Sequence, residues 1–236
     1  TPEYLDKAFL VSAGTEAVEV ALKLTRLEAQ RLGKRRSIVI SFDGNWHGRT
    51  TGAQHLSSSQ IQRAWIGHED PNVIRLPFPY PWVTEANDDP ISFLQQNLNS
   101  ALEDIGATLN ADVAGFFLET YQGWGAVFYP PLFVQEVERI AKSGDALVVF
   151  DEMQAGFART GTFFGYEHYG VEPDLVCCGK GASSSMPLAL VLGRGDLLDL
   201  PEVGSMSSTH SANPISCVAG LANLEEIQER NLVGRA

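Results

Sequence analysis

Apolar residues along this chain fall into two rhythms. One recurs near every third or fourth position. "SAGTEAVEVALKLTRLEAQRLGK" (12–34) carries Val18, Leu22 and Leu24 near helical spacing and predicts a helix. Within it, Glu19 and Lys23 stand four apart and predict an ion pair. Ser12 is the candidate N-cap, and Gly33 the stop. Segments 91–106, 131–144 and 214–229 also read as helices. The second rhythm is a short, unbroken apolar run. "RSIVISF" (36–42), "DVAGFFLE" (112–119), "ALVVFDE" (146–152), "DLVCC" (174–178) and "LALVLG" (188–193) predict buried strands. "VIRLPF" (73–78) is a weaker strand candidate, and the Pro-rich "PFPYPW" reads as loop.

Strands alternating with helices predict an α/β fold, doubly wound. Strands apolar on both faces predict a mostly parallel sheet with helices on both sides. Stretch 70–90 is the longest linker and a candidate excursion over a site. There is no internal repeat, low-complexity tract or evident domain boundary, so 1–236 reads as one large domain.

Charge narrows the partners. Seventeen basic residues stand against 29 acidic ones, a formal net charge of −12. That argues against nucleic acid and against an anionic membrane surface. No apolar run approaches the roughly 18 residues that span a bilayer. The three cysteines, Cys177, Cys178 and Cys217, show no metal-ligand spacing. They read as buried, reduced thiols of a cytoplasmic protein. The abrupt start at "TPEYLDKAF" and end at "NLVGRA" read as those of a piece of a longer protein.

Candidate chemistry gathers at strand ends, where open α/β sheets bind ligands. After 36–42 come Asp43-Gly44-Asn45-Trp46-His47-Gly48-Arg49-Thr50, and after 112–119 come Thr120 to Gly125. The run 146–150 ends in Asp151, with Gln154 close behind. "DLVCC" ends in Gly179-Lys180-Gly181. A lysine in such a turn is ordinarily a solvated loop residue. Asp151, directly after five apolar residues, needs a cationic or donor partner, and a structural salt bridge would satisfy it. Gly14 and Thr15 open the first helix, where free N–H groups favour an anion, though small residues there are often only caps. An anion hole, an acid, an aromatic face (Trp46) and a lysine activated by desolvation or nearby positive charge together describe one ligand, pyridoxal phosphate.

The sequence resembles the class III aminotransferases, pyridoxal-phosphate enzymes of fold type I, over nearly all of its length. The resemblance is carried by "SAGTEAVEVALKLTR", "FDGNWHGRT", "SSTHSANP" and above all "ALVVFDEMQAGFARTGTFFGYEHYGVEPDLVCCGKG". It implies that Gly14 and Thr15 hold the cofactor phosphate. Trp46 would stack on the ring, where the family more often has Tyr or Phe. Asp151 would pair with the ring nitrogen, Gln154 would lie near the ring hydroxyl, and Lys180 would form the Schiff base. Thr209 would reach the phosphate of a neighbouring subunit, implying a homodimer with shared active sites. Glu119 would lie near the substrate.

The implied activity is transfer of an amino group from an amine or amino acid, ω-amines included, to a keto acid. An aminomutase, a decarboxylating member and an inactive cofactor-binding fragment stay open. The family continues past both ends of this chain, so an N-terminal segment and a C-terminal small domain are expected outside it. Three features depart from the family pattern. Glu119-Thr120-Tyr121-Gln122-Gly123 lacks the usual proline. "ASSSMPL" replaces a glycine-rich run, and His210 stands where many members have Phe. His47 is expected to pack or hydrogen-bond beside Trp46, Arg159 to form a structural ion pair, and Trp124 to line a channel or simply pack.

Overall fold

The computed structural model describes residues 2–236. Among the described residues nine strands run in chain order: β1 (Lys7–Val11), β2 (Ile38–Phe42), β3 (Val73–Leu76), β4 (Val113–Glu119), β5 (Tyr121–Gln122), β6 (Val127–Phe128), β7 (Leu147–Asp151), β8 (Leu175–Cys178) and β9 (Ala189–Gly193). Seven of them form one sheet in the order β1-β9-β8-β7-β4-β2-β3, while β5 and β6 make a small hairpin. Pairings from β3 through β8 are all parallel, and β9 alone runs against its neighbours. The predicted mostly parallel sheet is therefore present. β1 and the β5–β6 hairpin are additions that the sequence pattern did not single out.

Each central strand buries both faces. In β4, Phe116 and Leu118 join Phe133, Val137, Leu94 and Leu98 from the helices Pro131–Ser143 and Pro90–Asp104. Phe117 and Ala114 point the other way, into a core with Val18 and Leu24 of the Gly14–Arg31 helix. Adjacent Cys177 and Cys178 divide between the two cores, as alternation requires. All three cysteines are free thiols. Among the described residues, no helix is long and apolar enough to cross a membrane.

Local details of the first helix depart from expectation. Ser12 is not its cap. The backbone N–H groups of Ser12 and Ala13 instead donate to Glu16 Oε2, at 2.8 and 3.0 Å. Glu19 and Lys23 do not pair either. Glu19 Oε1 accepts from Thr50 Oγ1 (2.6 Å), Gly52 N (2.8 Å) and Ala53 N (3.1 Å), so it caps the helix Thr51–Leu56 and outcompetes an exposed i,i+4 partner. Lys23 reaches the Ser205 carbonyl. Gly33 does end the helix, at φ +71°.

The sheet order also fixes where a ligand can enter. β2 connects to β3 on one side, and the chain then crosses back to place β4 on the other. The carboxyl ends of β2 and β4 thus diverge, leaving a crevice at the point where strand order reverses.

Candidate active site

At that crevice the strand ends deliver their polar residues together. A cavity of about 150 Å³ is lined by Gly14, Thr15, Trp46, His47, Gly48, Glu119, Asp151, Met153, Gln154 and Lys180. Seven of the eight site residues expected from sequence therefore share one cavity. Thr209 is the exception, exposed on a turn outside it.

Asp151 closes β7 and is buried, at 6% exposure. Its partner is not a cation on a solvated arm. Oδ2 is 2.9 Å from His47 Nδ1, and Oδ1 accepts from Met153 N at 3.1 Å. At the first helix, the N–H groups of Gly14 and Thr15 have no acceptor among the described residues, and Glu16 supplies first-turn negative charge one residue on. A Cβ at Gly14 would lie 2.8 Å from Met153 Sδ, so glycine keeps this wall of the cavity clear. Thr15 Oγ1 is bonded to Thr50, at 2.6 Å from Oγ1 and 3.2 Å from the amide. Gly48, at φ +137°, turns the chain so that this contact forms.

Trp46 is half-buried. Its amide donates to Glu119 Oε2 at 2.9 Å, and Arg49 Cζ lies 4.9 Å from its ring centroid. Lys180 follows β8 in left-handed backbone, φ +41°. It is exposed at the cavity, and no hydrogen bond or ion pair engages Nζ among the described residues. The desolvation expected around it is not there, because Gly179 and Gly181 bring no side chain to cover it. A second cavity of about 460 Å³ shares Trp46, Glu119 and Gln154 with the first and adds Trp124, Ser58, Ser59 and Gln62. Trp124 lines this space, its Nε1 held by Gln122 Oε1 at 2.8 Å.

Known proteins are similar to this chain in sequence and in fold. The family model for class-III aminotransferases matches residues 1–236. The chain belongs to that family. It is 35% identical over 234 residues to the "Probable 4-aminobutyrate aminotransferase" of Bacillus subtilis strain 168, covering 98% of this chain and 52% of that protein. A thermostable (S)-enantioselective omega-transaminase from Thermomicrobium roseum superposes with a TM-score of 0.88 at 28% identity, over 99% of this chain and 54% of its own. The ornithine aminotransferase of Toxoplasma gondii, described with partial occupancy of PLP at its active site, gives 0.82 at 29% identity, over 98% and 51%. This chain spans about half the length of the curated relatives it matches.

In this chain, sequence reasoning undervalued three side chains. His47 is buried and hydrogen-bonded, as expected, and the partner of its ring is Asp151. Glu152 is fully buried, accepts from Gly165 N and Tyr166 N at 2.8 Å each and from Thr120 Oγ1, and so ties the 155–166 segment to the sheet edge. Burial pushes it up to about 7. Asn223 holds the turn that bears Lys180. Its Nδ2 donates to Gly181 O at 2.6 Å, and its Oδ1 accepts from Ser184 Oγ at 2.6 Å. Only the uncapped strand end at Asp151 and the polar side chain inside an apolar helix were visible signals for these three. Arg159, expected in an ion pair, is exposed and makes none among the described residues, because Phe157 and Ala158 take left-handed backbone and turn it outward.

Proposed function

We propose that this chain is the large, cofactor-holding domain of a pyridoxal-phosphate-dependent aminotransferase, moving an amino group from an amine or amino acid to a keto acid. One observation carries the reading: Gly14, Thr15, Trp46, Asp151, Gln154 and Lys180, drawn from four separate segments, line a single cavity. The residues fit the group. Unpartnered amides at a helix N-terminus suit its phosphate, a buried carboxylate suits its ring nitrogen, and a lysine without partners suits its aldehyde.

When bound, pyridoxal phosphate supplies an aldehyde that condenses with amines and a ring that takes up the electron pair left on the substrate carbon. Asp151 holds a fixed negative charge against the ring nitrogen and keeps a proton there. Trp46 presents a flat apolar wall, and Gln154 offers an amide to the ring hydroxyl. Lys180 Nζ would take a proton from the substrate carbon and return it, as general base and acid. Glu119 and Trp124 border the larger adjoining cavity, which suits the substrate's remaining groups. The exposed Thr209 suits contact with a second copy's cofactor phosphate, supporting a homodimer with shared sites. Three free thiols support a reducing, cytoplasmic setting.

The test is reconstitution of the protein with pyridoxal phosphate, borohydride reduction and peptide mapping. The label is expected on Lys180. Full-length protein should then turn over an amine only when a keto acid is present. Label elsewhere, or turnover without an acceptor, overturns the reading.

A further inference from the structure

The β5–β6 hairpin is too small to hold its own shape. Each strand has two residues, with Tyr121 opposite Phe128 and Gln122 opposite Val127. An isolated two-stranded hairpin is at best marginally stable in water. Yet its turn carries Gly123 and Trp124 into the wall of the larger cavity. Something outside the hairpin must fix it there.

One buried hydroxyl joins both of its ends. Tyr169 Oη donates to the Thr120 carbonyl at 2.5 Å, at the entry to β5. It accepts from the Tyr129 amide at 3.2 Å, just past the exit of β6. A phenol has a single O–H to give, so its donor is spent on one end and its oxygen serves the other. Thr120, Tyr129 and Tyr169 are all buried. Without this hydroxyl a buried carbonyl and a buried amide would each lose a partner. Tyr169 is itself anchored. It ends the short 3₁₀ helix Gly165–Tyr169, whose first two amides donate to Glu152 at 2.8 Å each. Glu152 Oε1 also accepts from Thr120 Oγ1. Both polar groups of Thr120 are therefore tied to one piece of structure.

The hold passes on to the cavity. Gln122, two residues after Thr120, is fully buried. Its Nε2 donates to the Asp43 carbonyl, and its Oε1 accepts from Trp124 Nε1 at 2.8 Å. Where β5 begins thus sets where the Trp124 indole stands.

We propose that Tyr169 is a positioning residue for the larger cavity: its hydroxyl closes the base of the β5–β6 hairpin and so sets the Trp124 wall. The proposal rests on the reading of that cavity as the place of the substrate's remaining groups. Loss of the hydroxyl weakens substrate binding and spares the cofactor, whose expected contacts lie on other segments.

Hydrogen exchange read by mass spectrometry, on the protein without cofactor, tests the first step. In Tyr169→Phe, amides of residues 121–129 should exchange about tenfold faster than in the parent. Tyr166→Phe removes a hydroxyl from the same helix, one whose partner is Tyr4 Oη, and should leave them within about twofold. Parent-like exchange in Tyr169→Phe, or an equal rise in Tyr166→Phe, overturns the proposal. Steady-state turnover of the full-length protein loaded with pyridoxal phosphate tests the second, with 4-aminobutyrate, ornithine or 1-phenylethylamine as donor and pyruvate as acceptor. In Tyr169→Phe the KM for the amine should rise about fivefold or more, with kcat and pyridoxal phosphate affinity within about twofold. A fall in kcat at unchanged KM overturns the positioning role. If the parent turns over none of these amines, the exchange rates alone decide the role of Tyr169, and the function proposed above is judged by the Lys180 label.

Discussion

Glu119 and Asp151 stand directly opposite each other where β4 and β7 end, the last rung of that parallel pairing. Two carboxylates thus meet at one edge of the sheet. Burial pushes Glu119 up to about 7, and the Asp151 charge adds to it.

A pH dependence of stability follows. Glu119 is raised above its ordinary 4.5, so across pH 4.5 to about 7 the folded chain holds a proton that the unfolded chain has released. Its contribution is fully present below that window and is lost as pH rises through it, by at most about 3 kcal/mol. Glu152, also raised to about 7 by burial, acts in the same window and direction. Urea unfolding near pH 5 and near pH 8 should give a smaller difference in Glu119→Gln than in the parent. An identical difference would show that Glu119 does not titrate there.

Asp151→Asn keeps an oxygen for His47 but removes the charge. In the full-length enzyme, turnover should fall roughly 10³-fold with the circular dichroism unchanged. Retained turnover would remove Asp151 from the chemistry.

Gly115→Ala tests how closely the first helix approaches the sheet. A Cβ there would lie 2.8 Å from the Leu147 carbonyl oxygen and 2.8 Å from Thr25 Cγ2. Overpacking of this kind should cost about 1–3 kcal/mol, read from the urea midpoint. A neutral result would mean that the helix can shift outward freely.

Asn223→Leu removes both anchors of the Lys180 turn. It should cost about 1–3 kcal/mol and slow the rate at which pyridoxal phosphate labels Lys180 before borohydride quenching. Parent-like labelling would mean that the left-handed turn holds itself.

Much of the fold was legible because apolar runs and helical periodicity are strong, local signals. The strands β2, β4, β7, β8 and β9 and the helix Pro214–Glu229 lie where the pattern put them. β1 escaped because "KAFLV" is half-exposed at a sheet edge and begins with a charge. The Glu19–Lys23 pair failed because a capping partner 31 residues away was invisible to local spacing. The cavity's residue types were legible at strand ends. Their bonding was not, because His47 and Asp151 lie 104 residues apart and meet only once the sheet has formed. The serines after Lys180 gained a meaning in part: Ser184 is a tether to Asn223, and Ser183 bonds the Met186 carbonyl.

The cavity walls divide by origin. Asp151 and Glu119 end strands whose side chains form the core, and Lys180 sits on the turn just after β8, whereas Ser58, Ser59, Gln62 and Trp124 project from segments between strands into the larger space. Exchanging the second group leaves the sheet's apolar interior untouched. A library confined to those four positions could therefore retune what the larger space accepts while retaining folding yield, which makes that rim the natural handle for redirecting this scaffold.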